Sequence, residues 1–298
     1  MAINYFIGKE KMIQTIEKGS KIAIAACSNG LRQNSAPHIA KMTGILRQIP
    51  LQPVFSNYIF EKSDGFSASG EERAKVLMNF YKDSQIKAIF DVSGGDVANQ
   101  VLDFLDFDVI KSSGKQFWGY SDLTTILNAI YAKTGKSSVL YQIQNIAGNF
   151  SKQQAFDFEQ TLINGVSCLT EISANFWQGD KLDGVLIGGN VRCFLKLAGT
   201  QYLPDFSGKV LLLESLSGFL PRIATFFAQL KQMGVFNQIS GLLLGTFSQL
   251  EQAGGGEKLK ELVLQMVPPN LPVAKTQNIG HAEDSKAVVI GENFVLGE

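Results

Sequence analysis

Along the first half of the chain, hydrophobic and polar positions follow a pattern typical of strands in some segments and a pattern typical of helices in others. Apolar runs typical of buried strands occupy residues 21–27, 86–92 and 115–120. Apolar residues at helical spacing predict helices over residues 71–81 and 123–131. Strands that alternate with helices in this way are typical of parallel βαβ units covered on both faces. The first half is therefore predicted to form a doubly wound parallel sheet.

The second half has an α/β pattern of its own. Its predicted strands lie at residues 184–187, 209–214, 241–245 and 287–291, and its predicted helices at 220–233 and 257–266. Between the halves, residues 165–181 have the composition of an irregular segment. We therefore expect an α/β protein with an N-terminal domain over 1–165, a linker over 166–182, and a smaller mixed α/β domain over 183–298.

Composition and charge narrow the class of partner. The formal net charge is zero, so the protein has no general attraction for nucleic acid or for an anionic membrane surface. Apolar runs stay below membrane-spanning length, and the first residues lack the pattern of a secretory leader. The three cysteines Cys27, Cys168 and Cys193 are odd in number and far apart, which fits a reducing compartment. We expect a cytoplasmic protein without a disulfide framework or a bound metal.

Gly-Tyr-Ser-Asp at 119–122 lies between a predicted strand and a predicted helix. A serine on such a turn presents its hydroxyl beside a helix N-terminus, as in a nucleophile elbow. The alternative is that Ser121 only caps the helix. A nucleophilic serine needs a base, and the chain has two histidines. His281, in a glycine-containing turn after a strand-like run, is the better candidate, although it also fits a surface loop; His38, next to a proline at a predicted helix start, is expected to be structural.

Carboxylate and glycine positions complete the set of candidates. Glu214 ends a very apolar run, where it can orient an imidazole, or can simply be a strand-end acid or helix cap. Gly94 and Gly95 follow another strand and can supply an oxyanion-binding N–H beside that of Asp122. The pair at 188–189 fits a tight turn or a phosphate cradle, but the chain has no G-x-G-x-x-G or P-loop motif.

Taken together, these motifs resemble the L,D-carboxypeptidase family of serine peptidases, which includes the muramoyltetrapeptide carboxypeptidases and the microcin C immunity peptidases. The matching stretches, in the family's order, are residues 73–83 and 86–90 before the glycine pair 94–95, then 119–124, 188–190, 212–214, 234–245 and 280–281. One short motif is weak evidence, but this many in order is specific.

The resemblance implies a catalytic triad of Ser121, Glu214 and His281. It implies that the N-terminal domain carries the serine and the C-terminal domain the other two, so that the substrate is cleaved between the domains by an acyl-transfer mechanism. The oxyanion would be held by the N–H of Asp122 and by an N–H of Gly94 or Gly95. The resemblance further implies a homodimer and no metal or other cofactor.

Departures from the family pattern leave the substrate open. The turn at 26–30 and the stretch after His281 lack prolines that the family commonly has, and residues 93–97 lack the aromatic residue and arginine common in the muropeptide branch. One hypothesis is removal of a terminal D-amino acid from a cell-wall tetrapeptide. A second is hydrolysis of a peptidyl or aminoacyl nucleotide, and a third is a non-catalytic doubly wound binding protein in which Ser121 only caps a helix.

Overall fold

The computed structural model describes the backbone of residues 3–5 and all atoms of residues 13–62 and 64–297. Much of the segment assessed for a secretory leader lies outside these residues. The strands are β1 (Ile3–Tyr5), β2 (Lys21–Ala25), β3 (Gln52–Phe55), β4 (Ile86–Asp91), β5 (Gln116–Gly119), β6 (Ser138–Leu140), β7 (Ile172–Gln178), β8 (Lys181–Asn190), β9 (Val210–Ser215), β10 (Gly241–Phe247), β11 (Val273–Lys275), β12 (Val288–Ile290) and β13 (Asn293–Gly297). The helices are α1 (Ala36–Gln48), α2 (Gly70–Lys82), α3 (Phe107–Ser113), α4 (Thr124–Thr134), α5 (Ser151–Leu162), α6 (Val191–Phe194), α7 (Leu220–Gln232), α8 (Ser248–Gln252) and α9 (Gly256–Met266). Among these helices, none has the length and apolar character needed to cross a bilayer.

The first sheet confirms the predicted doubly wound architecture. Its strand order is β12-β6-β5-β4-β2-β3, with β3, β2, β4, β5 and β6 parallel and β12 antiparallel to β6. Taken in chain order, the five parallel strands are arranged 2-1-3-4-5, so the winding direction reverses between β2 and β4. Ligands of such sheets bind at the carboxyl ends of the strands beside this reversal. The turns after β2, β4 and β5 meet at that edge.

The second sheet is mixed. Its order is β1-β7-β11-β10-β9-β8-β13, in which β8, β9, β10 and β11 are parallel and β7, β13 and β1 are antiparallel to their neighbours. Strand β9, which lies between β10 and β8, is buried along its whole length and carries Leu211, Leu212 and Leu213. Continuous apolar runs of this kind are typical of parallel strands covered on both faces. The fold is thus a two-sheet α/β architecture.

The chain crosses between the two sheets at both of its ends. Strand β1 pairs with β7 in the second sheet, and β12, from the predicted C-terminal domain, pairs with β6 in the first. The division at 166–182 stays a prediction. The expectation that residues 165–181 are irregular is wrong for 172–178, which form β7. This strand is only partly buried and pairs with β11, about a hundred residues along the chain, so local apolar periodicity gives it a weak signal.

Candidate active site

Ser121 lies on a tight turn directly after β5. Its φ of +52° is in the left-handed region, which residues other than glycine seldom adopt. Gly119 permits the turn, because a Cβ there would lie 2.7 Å from Cβ of Leu123. A short 3₁₀ helix over 121–123 leads into α4, and the residues at the N-cap positions of these two helices, Tyr120 and Leu123, form no side-chain cap. The strained turn instead directs the Ser121 hydroxyl towards the second sheet.

His281 lies within hydrogen-bond distance of that hydroxyl. Its Nε2 is 3.2 Å from Oγ of Ser121, and its Nδ1 is 2.7 Å from Oε2 of Glu214. The turn before it requires Gly280, which has a φ of +152° and whose Cβ would lie 1.8 Å from Oγ1 of Thr246. The chain therefore brings together three side chains far apart in sequence.

Glu214 is completely buried near the carboxyl end of β9. One carboxylate oxygen accepts from His281, and the other accepts from Nδ2 of Asn190 at 2.9 Å. Asn190 lies opposite Glu214 in the β8–β9 register. Gly245 on the other neighbouring strand leaves the room, because a Cβ there would lie 2.9 Å from Cβ of Glu214. Two donors thus satisfy the buried acid in a fixed orientation.

The imidazole is held in one orientation by these contacts. Since Nδ1–H donates to Glu214, Nε2 carries the lone pair and accepts from the Ser121 hydroxyl. The ring of Tyr120 packs against the imidazole with centroids 4.6 Å apart. Burial, and then the negative charge of Glu214, raise the pKa of the Tyr120 phenol well above its ordinary value, so the phenol stays neutral beside the histidine. This arrangement can remove a proton from the serine hydroxyl as it attacks an electrophile.

The glycine loop, residues 93–96, faces Ser121 from the end of β4. A Cβ at Gly94 would lie 3.9 Å from Cβ of Ser121. Gly95 has a φ of +122° and turns towards Asn29, whose Oδ1 lies 2.2 Å from the position a Cβ would take. The backbone N–H of Asn29 donates to the Gly94 carbonyl at 3.2 Å, and its Oδ1 accepts from the N–H of Asp96 at 2.7 Å. Of the two glycines, Gly94 is the one placed against the serine.

Below this loop lies a second buried acid, Asp91, at the end of β4. It accepts from the N–H of Cys27 at 2.7 Å and from the N–H and hydroxyl of Ser93 at 2.8 and 2.6 Å. Burial raises the pKa of the Asp91 carboxyl, and these hydrogen bonds oppose that rise. The bonds fix the start of the glycine loop on the strand that precedes it.

The glycine pair 188–189 has neither of the roles left open for it. Both glycines lie within β8 with positive φ. A Cβ at Gly188 would lie 2.2 Å from the Leu212 carbonyl oxygen, and one at Gly189 would lie 2.7 Å from Oγ1 of Thr124. Asn128 on α4 exchanges two hydrogen bonds with the backbone of Gly188. The pair thus permits close packing of the helix that follows Ser121 against the second sheet.

Sequence reasoning missed several side chains around the site. It assigned only the backbone N–H of Asp122, whereas the buried carboxylate of Asp122 accepts from Ser28, from the N–H of Ala98 and from Lys196. Lys196 itself was missed, and so was Asn190, whose only signal is its place after two glycines at a strand end. The predicted structural histidine, His38, lies on α1, and its Nε2 is 3.1 Å from the carbonyl oxygen of Gln144.

Two family models match the chain along most of its length. The LD-carboxypeptidase N-terminal domain matches residues 22–141, and the LD-carboxypeptidase C-terminal domain matches residues 183–296. The chain belongs to the LD-carboxypeptidase family. Membership of this family also gives the class of enzyme: the protein is a serine-type peptidase.

Relatives within the LD-carboxypeptidase family carry two kinds of name. The probable murein peptide carboxypeptidase of Bacillus subtilis (strain 168) is 27% identical over 264 residues, covering 84% of this chain and 81% of its own. The microcin C7 self-immunity protein MccF of Escherichia coli is 24% identical over 263 residues, covering 77% and 76%. Sequence similarity therefore relates the chain both to a murein peptide carboxypeptidase and to a microcin self-immunity protein.

Solved structures of LD-carboxypeptidase relatives share the fold. MccF in complex with glutamyl sulfamoyl guanosine superposes with a TM-score of 0.84 at 19% identity, covering 97% of this chain and 99% of that one. The muramoyltetrapeptide carboxypeptidase from Oxalobacter formigenes superposes with a TM-score of 0.77 at 25% identity, covering 94% and 95%. Both branches therefore have the two-sheet architecture described above.

Proposed function

We propose that this LD-carboxypeptidase removes the terminal D-amino acid from cell-wall tetrapeptides, with Ser121 as nucleophile, His281 as general base and Glu214 as the acid that orients it. One observation carries the proposal: the unbroken contact from Glu214 through His281 to Ser121, at 2.7 and 3.2 Å, ending on a serine in a left-handed turn. A serine that only caps a helix needs neither the histidine nor the strained backbone.

In the proposed reaction, Oγ of Ser121 attacks the carbonyl carbon of the terminal peptide bond as Nε2 of His281 takes the hydroxyl proton. The imidazolium that forms is stabilised by the carboxylate of Glu214. His281 then gives the proton to the leaving amino group, and the D-amino acid departs. Water, activated by the same imidazole, attacks the acyl-enzyme and releases the shortened peptide and Ser121.

The oxyanion of the tetrahedral intermediate is proposed to bind to the N–H of Asp122 and to an N–H of the glycine loop. The 3.9 Å between Cβ of Ser121 and the Cβ position of Gly94 supports Gly94 over Gly95 as the source of that N–H. Donors that are already in place where charge develops make a large contribution to acyl transfer.

The tetrapeptide is favoured by the names of relatives that reach 25% identity or more. The Bacillus subtilis protein is called a probable murein peptide carboxypeptidase, and the Oxalobacter formigenes structure a muramoyltetrapeptide carboxypeptidase. The second candidate substrate is a peptidyl or aminoacyl nucleotide. It is supported by MccF, a relative whose structures include a complex with aspartyl sulfamoyl adenosine.

We also propose that the protein is a cytoplasmic homodimer that acts in peptidoglycan recycling. The resemblance to the family supports the homodimer and the recycling role, and the unpaired cysteines of this chain support the cytoplasmic location.

The test is mass spectrometry of a cell-wall tetrapeptide ending in D-alanine after incubation with wild type or with Ser121→Ala. Loss of D-alanine with wild type alone supports the proposal. An intact tetrapeptide, together with hydrolysis of aspartyl sulfamoyl adenosine and labelling of Ser121 by a serine-directed probe, would select the second candidate. If neither compound is cleaved and Ser121 is not labelled, the binding-protein hypothesis takes its place.

A further inference from the structure

Two basic side chains from the second sheet reach the glycine loop of the first. Arg192 on α6 donates to the Gly95 carbonyl at 2.8 Å and forms an ion pair with Asp96. Lys196, one turn further along, donates to the Asp96 carbonyl at 2.7 Å and forms an ion pair with Asp122. The loop is thus held from the opposite sheet at both its backbone and its side chain.

Asp122 links this contact to the nucleophile. It follows Ser121 directly and its side chain has no exposed surface. Besides Lys196, its carboxylate accepts from the hydroxyl of Ser28 at 2.6 Å and from the N–H of Ala98 at 2.8 Å. These donors lie in the turn after β2 and just after the glycine loop. One carboxylate therefore joins the three turns that meet at the carboxyl edge of the first sheet. In the described part of the chain, Lys196 is the only cation that forms an ion pair with it, while Arg73 and Arg192 interact with its charge from further away.

Loss of the ion pair between Lys196 and Asp122 is expected to change the geometry of the active site, and not only the stability of the fold. Replacing a partner of a buried pair leaves the remaining charge without compensation, and the structure relaxes to solvate it. Here relaxation must move either the backbone around Ser121 or the glycine loop, because the carboxylate and the ammonium are each bonded to one of them. Oxyanion donors work only when they lie within about 3 Å of the developing charge, so a small shift of this loop lowers the reaction rate.

We propose that Lys196, assisted by Arg192, is a positioning residue. It holds the glycine loop and the N–H of Asp122 at the positions from which they bind the oxyanion. The inference deepens the proposed function and rests on it. It assigns to the second sheet a part in shaping the oxyanion site, in addition to carrying Glu214. The prediction that separates it from substrate binding is a change in kcat with KM preserved, since the transition state alone carries the charge that the loop stabilises.

The experiment measures kcat, KM and thermal midpoint for Lys196→Met, Lys196→Arg and Arg192→Met, with the tetrapeptide as substrate. Lys115→Met is the matched control, because Lys115 also donates to several carbonyls, those of Phe80, Tyr81 and Asp83, but lies at the amino end of β5. We expect Lys196→Met to lower kcat by about 10- to 100-fold with KM within about 3-fold, and Lys196→Arg to restore most of the loss. Arg192→Met should lower kcat by roughly 3- to 10-fold, which keeps the inference testable if Lys196→Met does not fold.

Three outcomes would overturn the inference. They are an unchanged kcat in Lys196→Met, a raised KM with kcat preserved, which would make Lys196 a substrate-binding cation, and an equal fall in kcat in Lys115→Met. Ser121→Ala separates this failure from failure of the proposed function. If Ser121→Ala is inactive while Lys196→Met is normal, only the positioning role fails, whereas an active Ser121→Ala removes the serine mechanism itself.

Discussion

Replacing Glu214 by glutamine keeps the size of a fully buried side chain and reverses one of its two hydrogen bonds. In the wild type, both carboxylate oxygens accept, one from Asn190 and one from His281. Glutamine has one acceptor and one donor group. If its oxygen faces Asn190, its amide group faces Nδ1 of His281 and forces the ring proton onto Nε2, where it blocks proton transfer from Ser121. If its oxygen faces His281, two amide groups meet as donors at the Asn190 position.

The size of the effect follows from these two arrangements. The competent one leaves a buried donor unsatisfied, at a cost of about 1–3 kcal/mol. Rotating Asn190 does not relieve it freely, because Oδ1 of Asn190 accepts from the N–H of Cys193 at the start of α6. Loss of the charge opposite the imidazolium adds about 1–2 kcal/mol. The sum of about 2–5 kcal/mol corresponds to a fall in kcat/KM of roughly 30- to 5,000-fold. This is smaller than the roughly 10⁶-fold loss in kcat expected when a catalytic serine is removed.

Asn190 offers a compensating change that tests the reasoning. In Glu214→Gln/Asn190→Asp, the new aspartate accepts from the glutamine amide group and still caps α6, so the glutamine oxygen turns to His281. We expect the double variant to recover about 5- to 150-fold over Glu214→Gln, the range that corresponds to the cost of about 1–3 kcal/mol for the unsatisfied donor. Asn190→Asp alone should be severely impaired, because it places two carboxylates against each other in a buried site. Steady-state kinetics on the tetrapeptide give all four values of the cycle.

Either of two results would refute this account of the acid. One is activity of Glu214→Gln within about 5-fold of wild type, below the smallest loss that the hydrogen-bond argument allows. The other is a double variant no better than Glu214→Gln, which would mean that the tautomer of His281 is not set by this pair.

Two further predictions concern the glycine loop and the stability of α2. Gly94→Ala should fold normally, since its added methyl meets only Cβ of Ser121 at 3.9 Å, but it should lower kcat/KM by roughly 100-fold by crowding the attacking oxygen. An active Gly94→Ala would contradict the placement of the loop. Gly95→Ala, whose added methyl is strained against Asn29, should instead lower the thermal midpoint. At the start of α2, the N–H of Ser69 donates to Glu72 and holds the pKa of that carboxyl below its ordinary value of 4.5. This contribution to the free energy of unfolding is present above pH 4.5 and is lost as pH falls through the lowered pKa, so urea titrations should show that Glu72→Gln removes it, and an unchanged pH dependence would contradict it.

Local patterns in the sequence were sufficient for most of the fold. Five elements of the first half, β2, β4, β5, α2 and α4, were predicted to within a few residues, because each has a strong apolar period and is bounded by turn residues. The short elements β3 and α3 were not predicted. The candidate site was also accessible, since only two histidines compete for the role of base and the Gly-Tyr-Ser-Asp turn marks a strand-to-helix junction. Ser121, Glu214 and His281 then meet in the structure, and their catalytic roles stay a prediction.

What the sequence could not supply depends on contacts between distant residues. The pairing of β7 with β11 and of β12 with β6 has no local signal, because the partners are far apart along the chain and β6, β11 and β12 have only three residues each. Lys196 and the side chain of Asp122 were missed for the same reason. A lysine in a short helix and an aspartate after a serine are ordinary surface residues until the fold removes them from water.

The position of His281 in the chain ties catalysis to the relation between the sheets. It lies on residues 276–287, a segment that leaves β11 in the second sheet and ends at β12 in the first. Such a segment is a tether anchored at both ends, so any movement that widens the gap between the sheets pulls on the loop that carries the imidazole. The distance from Nε2 of His281 to the hydroxyl of Ser121 therefore depends on the separation between the two sheets.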